Sequence, residues 1–120
     1  MTAPGAINGW HAHVYYDAAS KPVAEAVRAG IAAGLPGVTL GRWHDNPVGP
    51  HPRGSYQVAF PPDLLAAVMP WLMLNRQGLA VLVHPETGRE LADHTAHAAW
   101  LGEMLPLKLD VLQADDAGHR

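Results

Sequence analysis

Residues 7–16 alternate between two kinds of side chain, with Ile7, His11, His13 and Tyr15 at one set of positions and Trp10, Ala12, Val14 and Tyr16 at the other. Period-two alternation marks a strand, so one face of it is largely apolar and the other carries histidines. Val23, Val27 and Ile31 then recur every four residues, which predicts an amphipathic helix over 22–33, capped by Ser20, opened by Pro22 and closed by Gly34-Leu35-Pro36-Gly37. Residues 38–43 read as a second strand. Residues 55–60 read as a third, with Tyr56, Val58 and Phe60 on one side and Ser55 and Gln57 on the other. Between these two strands, Pro47, Pro50 and Pro52 together with Gly49 and Gly54 exclude regular structure over 45–54. Loops of that length in small domains are commonly functional.

A second helix starts at Pro61-Pro62-Asp63, buries Leu64, Leu65, Val68 and Leu72, and ends at Asn75-Arg76-Gln77-Gly78, with a kink expected at Pro70. Residues 79–84 form an apolar run of strand length, closed by the turn Pro85-Glu86-Thr87-Gly88. Beyond the turn, 89–93 is expected to return as a short hairpin strand, 95–101 as a short helix and 105–112 as a last strand. The order is β-α-β-β-α-β plus a C-terminal extension, the pattern of a ferredoxin-like α+β sandwich with both helices on one sheet face. Trp10, Val14, Val58 and Phe60 then form the core, while His11, His13, Tyr15, Gln57 and His84 lie on the open face. A homodimer stacking these open faces is the expected way to enclose them.

Composition narrows the possibilities. The 120 residues form one domain, with 1–6 and 113–120 expected to be flexible. With 48% apolar and 16% charged residues the chain is a compact globule rather than a disordered segment. A formal charge of −3 and scattered arginines (Arg42, Arg53, Arg76, Arg89) give no basic surface for nucleic acid. No apolar stretch approaches a membrane span, and the segment from Met1 to Gly5 lacks a signal-peptide pattern, so the expected location is cytoplasmic. Without cysteine there is no disulfide, and any metal must be held by nitrogen and oxygen ligands.

Eight histidines in such a chain are the main chemical signal. Imidazole is the commonest metal ligand and the side chain that exchanges protons most readily near neutral pH. His11 and His13, two apart on a strand, share a face with Cα atoms about 6.5–7 Å apart, close enough to converge on one ion. His51 stands between prolines in the long loop, and His84 ends a strand that in this fold runs antiparallel beside the first, near His11. His119 belongs to the polar tail and is read as uninvolved.

The set Trp10-His11-Ala12-His13-Val14-Tyr15-Tyr16, Gly49-Pro50-His51-Pro52, Val83-His84-Pro85 with Thr87-Gly88, Asp93-His94 and Trp100-Leu101-Gly102 resembles the DOPA 4,5-dioxygenase family over roughly residues 7–105. The resemblance implies a ferredoxin-like dimer that uses a non-haem metal, normally Fe(II), to cleave catechols such as DOPA with O₂. Zinc or another divalent ion is a further occupant. It also implies metal ligation by His11, His13, His51 and His84. Non-haem iron is often held by two histidines and a carboxylate. Asp45, Glu86 and Asp93 each lie near a motif, and an all-histidine site fits equally.

His94 is the candidate for proton transfer, its tautomer fixed by Asp93 or a backbone carbonyl. Arg42 and Arg53 flank the long loop and are candidates for holding a substrate carboxylate. Tyr15 and Trp43 are candidates for sandwiching an aromatic ring. Two other readings fit the same residues: a non-catalytic metal or small-molecule binding module, and a cofactor-free isomerase or monooxygenase.

Overall fold

The computed structural model describes residues 1–113; His119 and the rest of 114–120 lie outside the described residues. Strand β1 (Gly9–Tyr16) leads into helix α1 (Lys21–Gly34), followed by β2 (Thr39–Leu40), β3 (Gly54–Phe60), α2 (Leu65–Asn75), β4 (Val81–Glu86), α3 (Glu90–His94) and β5 (Ala99–Leu101). All neighbouring strands are antiparallel, in the order β2-β3-β1-β4-β5. The first four strands have the ferredoxin-like order, and β5 extends the sheet beyond β4.

The alternation read from the sequence decides which side chains meet the helices. Ala12, Val14 and Tyr16 of β1 and Tyr56, Val58 and Phe60 of β3 are buried with Val27 and Ile31 of α1 and Val68 and Leu72 of α2, and Trp10 packs at the margin. The two helices approach closely because α1 carries glycine where they meet. A Cβ added at Gly30 would stand 2.9 Å from the Trp71 ring. Ser20 occupies the predicted cap position, but its hydroxyl bonds the Asp17 backbone N–H and carboxylate instead of a helix N–H.

The C-terminal third departs from the pattern reading. Residues 90–94 are a helix rather than a hairpin strand, and 99–101 are a strand rather than part of a helix. The segment 105–112 is irregular with a 3₁₀ turn at Leu109–Val111, since Pro106 interrupts any ladder. Its apolar alternation is nevertheless used. Leu105 is buried against Tyr15, Ala80 and Leu82, with Ala98, Trp100 and Leu107 beside them. The Lys108 N–H donates to the Pro50 carbonyl at 2.9 Å and ties this segment to the 45–54 loop.

The histidine-bearing face is therefore not open. Tyr15 is 1% exposed and His84 also 1% within a single chain, so burying these residues does not require the second protomer expected from an open sheet face.

Candidate metal centre

The register between β1 and β4 puts His11 opposite His84 and His13 opposite Leu82, so all three imidazoles project from one face. One ligand nitrogen from each of His11, His13 and His84 lies within 4.8 Å of the others. The Nε2 atoms of His13 and His84 are 3.0 Å apart.

Neighbouring groups fix the tautomers. The His84 Nδ1–H donates to the Pro85 carbonyl at 3.0 Å, and the His11 Nδ1–H donates to Glu86 Oε1 at 2.6 Å. In both rings the proton is held on the outside and the Nε2 lone pair is left for coordination, an arrangement typical of metal-binding histidines. The donor set fits a divalent ion that prefers nitrogen, with Glu86 orienting His11 from behind.

Burial keeps these rings neutral. It holds His13 well below the usual imidazole range, with the neighbouring His51, His84, His11 and His94 adding to the effect. His84 is lowered to about 4, first by burial and then by His94 and His11, against an opposing hydrogen bond to Pro85. His51 is likewise lowered to about 4 by burial, followed by His94 and His44. His11 is lowered by burial despite the opposing Glu86 charge. Neutral imidazoles at pH 7 are ready to bind metal without first losing a proton.

The same shifts fix an acid sensitivity. An unfolded histidine takes up its proton near pH 6.5, whereas His51 and His84 in the fold do so only near 4. The stabilisation is therefore complete above about pH 6.5 and is lost as pH falls from there through 4, on the order of 3 kcal/mol for each ring. Denaturant midpoints of the metal-free protein should drop steeply between pH 6.5 and 4; a flat profile there would show that these rings are not buried neutral.

His51 stands next to the three-nitrogen group but outside it. Its ring centroid is 4.2 Å from that of His13, and its Nδ1 shares a 2.6 Å hydrogen bond with the Tyr15 hydroxyl. Burial pushes the Tyr15 phenol up, so it remains protonated. Trp100 of β5 stacks on Tyr15 with ring centroids 5.8 Å apart and planes 22° from parallel.

His94, at the end of α3, brings its ring 4.1 Å from that of His84. The Glu90 carbonyl accepts from its Nδ1–H at 2.8 Å, leaving Nε2 as a proton acceptor. A backbone carbonyl, not Asp93, sets this tautomer. Asp93 is 1% exposed and accepts hydrogen bonds from the Thr87 N–H, the Thr87 hydroxyl and His97 Nδ1, which fastens the 87–97 segment. His94 lines two cavities. One, of about 310 Å³, also includes His11, Glu86, Gly88, Glu90 and Asp93; the other, about 460 Å³, is an apolar groove running along the C-terminal segment.

Comparison with known proteins agrees with this picture. The sequence pattern of the Dopa 4,5-dioxygenase family matches residues 10–111. A DOPA 4,5-dioxygenase from Amanita muscaria is 38% identical over 111 residues, covering 86% of this chain and 49% of the fungal protein. The chain belongs to the DOPA 4,5-dioxygenase family.

An uncharacterized 21.2 kDa protein from Botryotinia fuckeliana is 36% identical over 84% of this chain and 61% of its own length. The chain thus spans about half to three-fifths of the length of these two curated relatives. A crystal structure of a candidate dioxygenase from Nostoc punctiforme PCC 73102 superposes with a TM-score of 0.90 at 53% identity, covering 92% of this chain and 96% of that one.

Within this family member the other sequence candidates separate by position. Trp43 lies on the helix side of the sheet, edge-on to Tyr16 and Tyr56 with the Arg28 guanidinium 5.2 Å from its ring, so it cannot sandwich a ring with Tyr15. The aromatic partner of Tyr15 is Trp100. Arg42 is exposed just past β2, the edge strand farthest from β4. Arg53 precedes Gly54, which pairs with Tyr16 at the far end of β1 from His11, and its charge helps lower Asp17 after the Ser20 hydrogen bonds. Asp45 accepts hydrogen bonds from Tyr16 and Lys21 and is likewise remote. Among the described residues no helix is long and apolar enough to cross a membrane.

Glu86 had a legible signal: two residues beyond His84, it belongs to the same strand face if the strand continues through Pro85. It does continue, because β5 pairs with β4 only as far as Val83 and no ladder bond to it is lost at the proline.

Proposed function

We propose that this chain is an extradiol dioxygenase that cleaves a catechol, holding one ferrous ion on His11, His13 and His84. The observation that carries the reading is the convergence of three neutral imidazole nitrogens beside a cavity that also presents His94. The name of the Amanita relative suggests DOPA as one such catechol. A bound ferrous ion supplies the route by which an electron-rich catecholate reacts with triplet dioxygen.

The chain's own residues do the rest. Glu86 holds the His11 ring in place, and Pro85 holds His84 through its carbonyl. His94, anchored on Glu90, accepts a hydroxyl proton from the catechol at Nε2 and returns it to the product. Tyr15, backed by Trp100 and Leu105, covers the His51 ring beside the three imidazoles. Overall, one catechol and one O₂ give one ring-opened semialdehyde acid: the carbon–carbon bond next to the diol breaks, and both dioxygen atoms enter the organic product. In this reading the enzyme works as a homodimer in the cytoplasm.

Iron titration followed by oxygen uptake tests it. Saturation at one iron per chain, with one O₂ consumed per ring opened and a coloured product, is the expected result. Full iron occupancy without oxygen uptake across a catechol panel would point to a binding module, and a folded protein with no affinity for iron to cofactor-free chemistry.

A further inference from the structure

The apolar groove beside His94 has no part in the proton transfer or the metal site. About 460 Å³ in volume, it is lined by Ala98, Trp100, Met104, Leu105 and Leu107 among others, and among the described residues the polar atoms of its wall come from His94, Thr95 and the Trp100 indole N–H. Met104 is 75% exposed and Leu109 41%, so this wall presents apolar surface to water when the groove is empty. The groove meets the cavity next to the three histidines at His94.

Charge placement argues in the same direction. The smaller cavity is lined by Glu86, Glu90 and Asp93 beside His11 and His94, and among the described residues the groove wall holds no Asp, Glu, Lys or Arg side chain. Arg42 sits by the far edge strand. Arg53 stands at the Tyr16 end of β1, five residues or about 16 Å of strand from the level of His11. An amino-acid substituent laid in the groove would have both its ammonium and its carboxylate desolvated against apolar walls, with no arginine or lysine in the lining to pair the carboxylate.

We infer that the catechol taken by this site carries an uncharged, apolar substituent, which lies in the groove along Trp100 and Met104 while the diol faces the histidines. The inference rests on the catechol reading above and assigns the substrate class within it. Each methylene buried in such a groove strengthens binding roughly three- to fourfold.

The test measures kcat/KM of the iron-loaded protein on catechol, 4-methylcatechol, 4-propylcatechol and L-DOPA, in the parent and in Met104→Glu. The expected result is a rise of about tenfold from the methyl to the propyl compound, with L-DOPA below propyl, and a ratio near one in Met104→Glu. A second readout needs neither iron nor oxygen. In metal-free protein, 4-propylcatechol should shift the Trp100 indole N–H resonance, assigned by its loss in Trp100→Phe, and catechol should shift it much less.

Catechol turned over with no propyl preference and no Trp100 shift overturns the groove assignment and leaves the proposed function standing. No ring opening of any catechol overturns the proposed function, and the assignment with it. Light scattering covers the other occupant: Met104→Glu converting a dimer to monomer with the substituent preference intact would make the groove a contact between copies and overturn the assignment.

Discussion

Replacing His13 by alanine is expected to lower metal affinity by well over a hundredfold and to abolish ring opening. His13 is central among the three proposed ligands, with its Nε2 3.0 Å from that of His84 and its ring against those of His11 and His51. Removing an outer partner of a metal ligand typically reduces affinity 10- to 100-fold, and deleting a ligand exceeds that. Glu86→Gln provides the graded comparison, since it keeps a hydrogen-bond acceptor for His11 Nδ1 but removes the charge; its loss should fall within the 10- to 100-fold range. The His13→Ala protein should also unfold at lower pH than the parent when metal-free, because one imidazole kept neutral by burial is gone. Metal titration and acid denaturation check both effects, with tryptophan near-ultraviolet dichroism confirming the fold. A His13→Ala protein that binds iron like the parent would remove His13 from the metal site.

His94→Ala should behave differently. His94 is outside the three-nitrogen group, so the variant is expected to bind iron as the parent does. Its turnover should fall by roughly 10²–10⁴-fold, the range for a lost general acid–base group. The loss should appear in kcat, because in the proposed reaction the ring accepts and returns a proton and does not hold the diol. His94→Gln should not rescue it, since an amide cannot take up the proton. Iron occupancy by elemental analysis, with kcat and KM by oxygen electrode, separates this from a structural effect; loss of metal along with activity would make His94 a ligand, and full activity would end its assignment.

The parts of this site that could be read from the sequence are those governed by the period of a strand. His11 and His13 share a face because they are two apart, and the ferredoxin-like order then brings His84 opposite His11. Where the period breaks, the reading breaks with it. A strand continuing through residue 43 would place Trp43 on the histidine side, opposite in phase to Leu40. In the fold β2 ends at Leu40, the phase is lost, and Trp43 turns to pack under Arg28 beside Tyr16 and Tyr56.

The C-terminal third was illegible for a related reason. A helix of five residues and a strand of three are too short to show periodicity, so the pattern reads 89–93 as a strand and 95–101 as a helix where the fold has α3 and then β5. Their contribution depends on tertiary contacts instead. Trp100 reaches the site by stacking on Tyr15, and Leu105 by packing on Leu82, both across long sequence separations. The irregular 105–112 segment also covers the face that strand alternation alone leaves open to a second protomer, and the backbone bond from Lys108 to Pro50 that helps hold it there leaves no mark in the pattern of side chains.

Labelled dioxygen tests the central claim most directly. Iron-loaded protein, mixed anaerobically with a catechol and then given doubly labelled O₂, is quenched at early times and its product analysed by mass spectrometry before the aldehyde oxygen exchanges with water. The account predicts ring-opened product carrying both labels, in proportion to oxygen consumed. Quinone without label, or ring-opened product carrying a single label from its earliest appearance, would contradict it.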